Sequence, residues 1–284
     1  MTIEDIILDR DGRGISNLRS NLPPNFVTEA AQLILDNPGT AIITTGFYIL
    51  DAGKAETDGP PGVVVIGNAL EKLGYEVIYV TDRYATSLMS ETGSENSKVV
   101  EFPVTDDDAS KVFASGMLNR INPSVIIAIE RCGFTSEGRY RNMNGRDLTQ
   151  HNARIDHIFT GSTPSVGVGD GGNEIGMGNL ADEIPKVESL VRAPCITTVD
   201  KLILASVSNW GGYGLVAALS EINGQNLLPS IEEELSLLKQ TVDLGAVDGM
   251  SSIQEYKVDG FTAEENSQTV QALHDYLAQK GITN

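Results

Sequence analysis

The chain has 284 residues, with 39 acidic against 20 basic side chains and a formal charge of -19. That balance argues against nucleic acid and anionic membranes as partners, because phosphate binding draws on a basic surface. Two cysteines are too few for a disulfide framework or a four-thiolate zinc site. No apolar run approaches the ~18 residues of a membrane span, and the charged opening MTIEDIILDRDGRG lacks a signal-peptide core, so a soluble cytoplasmic protein is the expectation.

Residues 1–40 read as helical: Ile3, Ile6 and Ile7 share one face, and Phe26, Ala30, Leu33 and Ile34 another. TAIITT, Thr40 to Thr45, is a short apolar run of the parallel-sheet kind. Pro60 and Pro61 then open a helix that Gly74 is placed to stop. Strands are predicted at Val77–Val80 and Val99–Val104, a helix with acidic first residues at Asp107–Ile121, and a buried strand at Val125–Ile129. A shorter helix is expected at His151–Phe159, and strands at Val166–Val168 and Leu202–Val207. Helices follow at Trp210–Glu221, Ile231–Val242 and Ala263–Lys280, with Asp243–Gly260 irregular. Strands alternating with helices imply an α/β fold, a mostly parallel sheet with helices on both faces in a three-layer, Rossmann-like sandwich. No linker divides the chain, so it reads as a single domain over 1–284, with a helical segment 1–40 and an irregular segment plus helix at 243–284.

In open α/β sheets ligands bind beyond the carboxyl ends of the strands, and glycines and carboxylates are dense there. In GDGGNEIGMGN, Gly169 to Asn179, the amides of Gly171 and Gly172 at a strand-to-helix turn can approach an anion, while Asp170 and Glu174 favour a cation or an ammonium. The alternative is a tight turn with Asn173 as an N-cap. The spacing is neither a dinucleotide fingerprint nor a Walker loop. In ETDGPPG, Glu56 and Asp58 offer an oxygen-rich site for Mg²⁺, Mn²⁺ or Ca²⁺; the alternative is Asp58 as a helix cap. Asp82 and Glu130 follow other strands but point to the same edge. Carboxylates meeting there would repel, and a divalent cation resolves this more simply than a set of raised pKa values. Arg83, Arg131 and Lys54 are the competing ion-pair partners.

GRYRNMNGRD is the most basic stretch. Arg141 and Arg146 can fork onto a carboxylate or phosphate, and Asn142 and Asn144 can orient polar groups; a solvated loop is the alternative. Asn173 and Thr45, the latter at the end of the first strand, are placed with these substrate-binding candidates. No histidine is positioned to activate Cys132, and no lysine suggests a pyridoxal Schiff base.

TGF, ETDGPPG, IERCG, GRYRNMNGRD, GDGGNEIGMGN, SNWGGYG and GAVDG occur in order from about Thr44 to Gly260. This series resembles the D-glutamate cyclase family, specifically its C-terminal catalytic-type domain. The resemblance implies a lyase that converts D-glutamate to 5-oxo-D-proline with loss of water. The residue roles rest on the chemistry of the loops rather than on the resemblance: Asp170, Glu174 and Glu130 are the expected catalytic carboxylates, and Glu56, Asp58, Asp82, Glu130 and Asp170 the expected metal ligands. The expected partner is a small acidic metabolite; self-association into a homo-oligomer is left open. A metal-dependent hydrolase of a phosphate ester or amide, and a non-catalytic sensor of an acidic metabolite, are the competing readings.

Overall fold

A computed structural model describes residues 1–94 and 96–283. In chain order it has α1 (Ile3–Ile7), a 3-10 helix at Ile15–Asn21, α2 (Phe26–Leu35), β1 (Thr40–Thr44), the hairpin strands β2 (Tyr48–Ile49) and β3 (Lys54–Ala55), α3 (Pro60–Lys72), β4 (Glu76–Thr81), α4 (Thr86–Thr92) and β5 (Lys98–Glu101). These are followed by α5 (Asp107–Ile121), β6 (Val125–Ile129), β7 (Ser165–Gly169), β8 (Lys201–Leu204), α6 (Ser208–Asn223), α7 (Ile231–Asp243), the hairpin strands β9 (Lys257–Val258) and β10 (Phe261–Thr262), and α8 (Ala263–Gln279).

Six strands form a wholly parallel sheet in the order β5-β4-β1-β6-β7-β8. The chain winds outward from β1 to β5, then crosses back to β6 and winds the other way. Right-handed crossovers in opposite directions put helices on both faces, so the fold is the expected α/β sandwich. The reversal falls between β1 and β6, where a doubly wound sheet opens its ligand crevice. The residues just past these strands are Thr45 and Glu130.

The sequence read most elements to within a few residues. One expected helix, His151–Phe159, is instead two 3-10 turns, Thr149–His151 and Ile155–Phe159. Side chains claim its backbone: Ala153 N donates to Asp82, and the Asn152 amide donates to the carbonyls of Cys132 and Ala153. The hairpins and α4 were not foreseen; two-residue strands and a seven-residue helix leave too short a pattern.

α6 is the axis of the helical side. It is buried from Ser208 to Ser220 and packs against α1, α2, α3 and α8. Glycines let it approach α3: a Cβ on Gly212 would lie 3.3 Å from Gly62 Cα, and one on Gly62 3.2 Å from Asn209 Cα. Behind α6, the Glu234 side chain of α7 is buried, accepting from Ser267 Oγ at 2.8 Å and Tyr213 Oη at 3.5 Å. Burial pushes its pKa up to about 7, against both hydrogen bonds. The folded state therefore holds this proton more tightly than the unfolded chain. The stability it contributes is fullest below pH 4.5 and is lost as pH rises through about 7, by about 3 kcal/mol. In Glu234→Gln this loss is absent, so the difference in unfolding free energy between variant and parent should grow by about that amount from pH 4.5 to 8. A difference that stays constant in urea titrations across that range would contradict this account.

Candidate active site

Four separate loops deliver carboxylates to the crevice at the reversal point. Glu56 and Asp58 precede α3, Glu130 follows β6, Asp170 and Glu174 follow β7, and Asp259 sits at the tip of the β9–β10 hairpin. Ligand oxygens of Asp58, Asp170 and Asp259 lie within 4.8 Å of one another, and so do those of Glu130, Asp170 and Glu174. Asp170 belongs to both groups. These clustered acids could hold a metal ion. Glu56, Glu130, Asp170, Glu174 and Asp259 line a cavity of about 380 Å³, within the usual range for a small-molecule site. A wider cleft of about 580 Å³ between α3, α4 and α7 has Val64, Val65 and Leu237 on its walls. Among the described residues it holds no such acidic group.

Local structure explains each position. Asp58 does not cap the helix it precedes. Its carboxylate accepts from Ser208 N at 2.9 Å and Asn209 N at 2.7 Å, capping α6. Asn209 returns the arrangement: its Oδ1 accepts from Gly59 N at 3.0 Å and Gly62 N at 2.8 Å, capping α3. The intervening Pro60 and Pro61 have no N–H to satisfy. Both helix N-termini thus face the acidic cluster, where their partial positive charge favours anions. Glu130 has φ +43°, a left-handed conformation that costs a non-glycine residue about 1–2 kcal/mol. That backbone turn goes with a carboxylate accepting from Ser208 Oγ at 2.6 Å. Glu174 accepts from Gly171 N and Gly172 N, both at 2.8 Å. The glycine turn does bind an anion, and the anion is the chain's own.

The cation facing this cluster is Arg13, from the segment between α1 and the first 3-10 helix. It bridges Asp170 and Asp259, the latter at 2.8 Å. Its loop is stiff: Asp11 accepts from the backbone of Arg13, Gly14 and Ser16, and Ser189 Oγ donates to the Arg13 carbonyl. Arg10 secures the other side, stacked 4.4 Å over Trp210 and bonded to Glu265 O and Thr269.

Six carboxylates against one guanidinium leave a formal charge of -5. Burial, then Asp259, Asp58 and Asp170, pushes Glu56 well above the usual carboxylate range. Burial and then Asp170 do the same to Glu130. Asp58 is raised by burial, Asp259 and Asp170, against its backbone donors. Burial carries Asp170 to about 6 and Asp259 to about 7 even though Arg13 opposes both shifts. Glu56 Oε1 has no hydrogen-bond partner. Oxygen donors gathered without enough positive charge suit a hard divalent cation.

Not every candidate converges. Asp82 is turned to Arg131, at 2.6 Å, because the Arg131 guanidinium is buried between Asp82 and the carbonyls of Gly46 and Ala153. Thr45 lies beneath Gly59 rather than on the cavity wall. Asn142, Asn144 and Asn173 line the mouth, and Asn173 Nδ2 donates to the Arg141 carbonyl. The guanidinium of Arg141 pairs with Glu137, and that of Arg146 forks onto Asp51 at 2.7 and 2.8 Å. Both pairs are on the exposed rim. Cys132 is buried, and burial pushes its thiol up.

A family model described as D-glutamate cyclase-like, C-terminal, matches residues 3–274. The chain belongs to that family. It is 28% identical over 311 aligned residues to human mitochondrial D-glutamate cyclase, an alignment that covers 94% of this chain and 50% of the relative. The chain therefore spans about half the length of the curated relative it matches. Among the described residues, no helix is long and apolar enough to cross a membrane.

Sequence reasoning missed Arg13 and Asp259. Asp259-Gly260 between Val258 and Phe261 is a two-residue hairpin signal, the one local feature that marks Asp259. Nothing local in the DGRG turn ties Arg13 to Asp170 or Asp259, which lie far along the chain. In this D-glutamate cyclase-like chain the exchanged caps also tie the N-termini of α3 and α6 together. Asn209→Ala leaves the buried Gly62 N–H unpaired, while Gly59 N–H keeps Asp58 Oδ1, and should lower unfolding free energy by about 1–3 kcal/mol. A loss under about 0.5 kcal/mol in urea denaturation would show that the cap carries little.

Proposed function

We propose that this chain cyclises D-glutamate to 5-oxo-D-proline with loss of water, assisted by a divalent cation. The observation that carries the reading is the meeting of Glu56, Glu130, Asp170 and Glu174 around one cavity, with a Glu56 oxygen left unpartnered. The family membership supports the chemistry, and the relative's name supplies the substrate. Glu130, Asp170 and Glu174 would hold the cation, with Glu56 beside them. When bound, Mg²⁺, Mn²⁺ or Ca²⁺ would polarise the substrate's γ-carboxylate as a Lewis acid.

The chain's own groups manage the protons. The substrate ammonium gives up two protons, its nitrogen bonds to the γ-carbon, and one γ-oxygen departs with both protons as water. Asp170 and Asp259 titrate as a pair near neutral pH, so Asp170 can take a proton from the ammonium. Asp170 can then pass that proton on to the departing oxygen, while Glu130, fixed by Ser208 Oγ at 2.6 Å, stays on the cation as a carboxylate. Asn142 and Asn144 orient polar groups at the mouth. The α-carboxylate falls to Arg141 or Arg146, whose ion pairs are solvent-exposed and therefore weakly held. Folding the substrate so that nitrogen meets carbon is an orientation task, a source of up to ~7–11 kcal/mol. Ring opening would use the same groups in reverse.

The expected partner is thus a small acidic metabolite, with no nucleic acid or membrane. A cytoplasmic location stays the expectation from composition, while the human relative is mitochondrial by name. Incubation with D-glutamate and Mn²⁺ should produce 5-oxo-D-proline, read by chiral chromatography. Asp170→Asn should lower turnover about 100-fold or more with its unfolding midpoint preserved. Retained turnover in that variant would remove Asp170 from the mechanism, and no product from the parent would sink the reading.

A further inference from the structure

The two acidic trios share Asp170, yet they are not equivalent. In the first, Asp58, Asp170 and Asp259, the Arg13 guanidinium already spans two of the three members. In the second, Glu130, Asp170 and Glu174, the partners of Glu130 and Glu174 are a serine hydroxyl and backbone amides. Beside them Glu56, only 6% exposed, lines the same cavity and has an oxygen, Oε1, without a hydrogen-bond partner.

We infer that Arg13 is a built-in cation standing where a second metal ion would otherwise bind. The chain takes one divalent cation, at Glu130, Asp170 and Glu174, and Arg13 keeps the Asp58–Asp170–Asp259 trio closed to another. A guanidinium suits this task because it stays charged at any working pH and its planar fork reaches two carboxylates at once. The DGRG turn presents it from a fixed backbone, pinned by Asp11 and Ser189, so it does not swing aside as a surface side chain would. Taking Arg13 away exposes three buried oxygen ligands within 4.8 Å of one another, a donor set suited to a hard dication. The inference rests on the cation-binding part of the proposed function and adds to it the number of ions and their place.

The test is the Mn²⁺ content per full-length chain, from equilibrium dialysis with paramagnetic resonance of the free ion. The parent should take one ion, Arg13→Met two, and Arg13→Lys one. Two ions in the parent, or one in a folded Arg13→Met, would overturn the inference while leaving a cation-assisted site standing. None in the parent would overturn the cation-binding reading as well. Should Arg13→Met fail to fold, two variants of the parent decide the location. Glu130→Gln should abolish Mn²⁺ binding and Asp259→Asn should retain it, and the reverse pattern would overturn the assignment.

Discussion

Burying six carboxylates at one rim of a sheet is the constraint that shapes the rest of this molecule. An isolated charge taken out of water costs several kcal/mol even after relaxation. Five of the six acids here are therefore compensated. Asp58 sits on the N-terminus of α6, Glu174 on two glycine amides, Glu130 on a serine hydroxyl, and Asp170 and Asp259 on one guanidinium. Glu56 Oε1 is the oxygen left over, and the net charge stays negative. Acids clustered with such a deficit could hold a metal ion.

The topology makes the gathering inexpensive. Because the chain reverses direction between β1 and β6, loops on either side of the reversal share one opening without long excursions. The exchanged caps then tie the two helices that flank the opening. α3 and α6 each supply the polar group that the other's first turn needs, so neither can shift without exposing unpaired N–H groups. The same contact that holds the helices together also positions Asp58 and, through Ser208, Glu130.

The ends of the chain complete what the sheet begins. The N-terminal segment threads past Trp210 and α8 to bring in Arg13, and the β9–β10 hairpin brings Asp259 to meet it. Between them, Val247 pairs with the segment around Glu56, so the irregular stretch after α7 is stitched to the site rather than laid over the sheet. Residues 13 and 259 are thus neighbours across nearly the whole length of the chain.

The amino-acid sequence by itself determined the alternation of strands and helices, the parallel sheet, and the acidic, glycine-rich loops. Those follow from local periodicity and from turn chemistry, which act over a few residues. It also marked Glu56, Asp58, Glu130, Asp170 and Glu174, since each stands just past a strand or before a helix. Only the tertiary structure decided which acids share a hollow. Asp82 occupies an equivalent place in the pattern, yet its charge is spent on the buried Arg131. Asp259 and Arg13 belong to the site although no local pattern sets them there. The pairing of a charge depends on which groups three-dimensional packing brings within a few ångströms, and that is a property of the folded chain rather than of any segment of it.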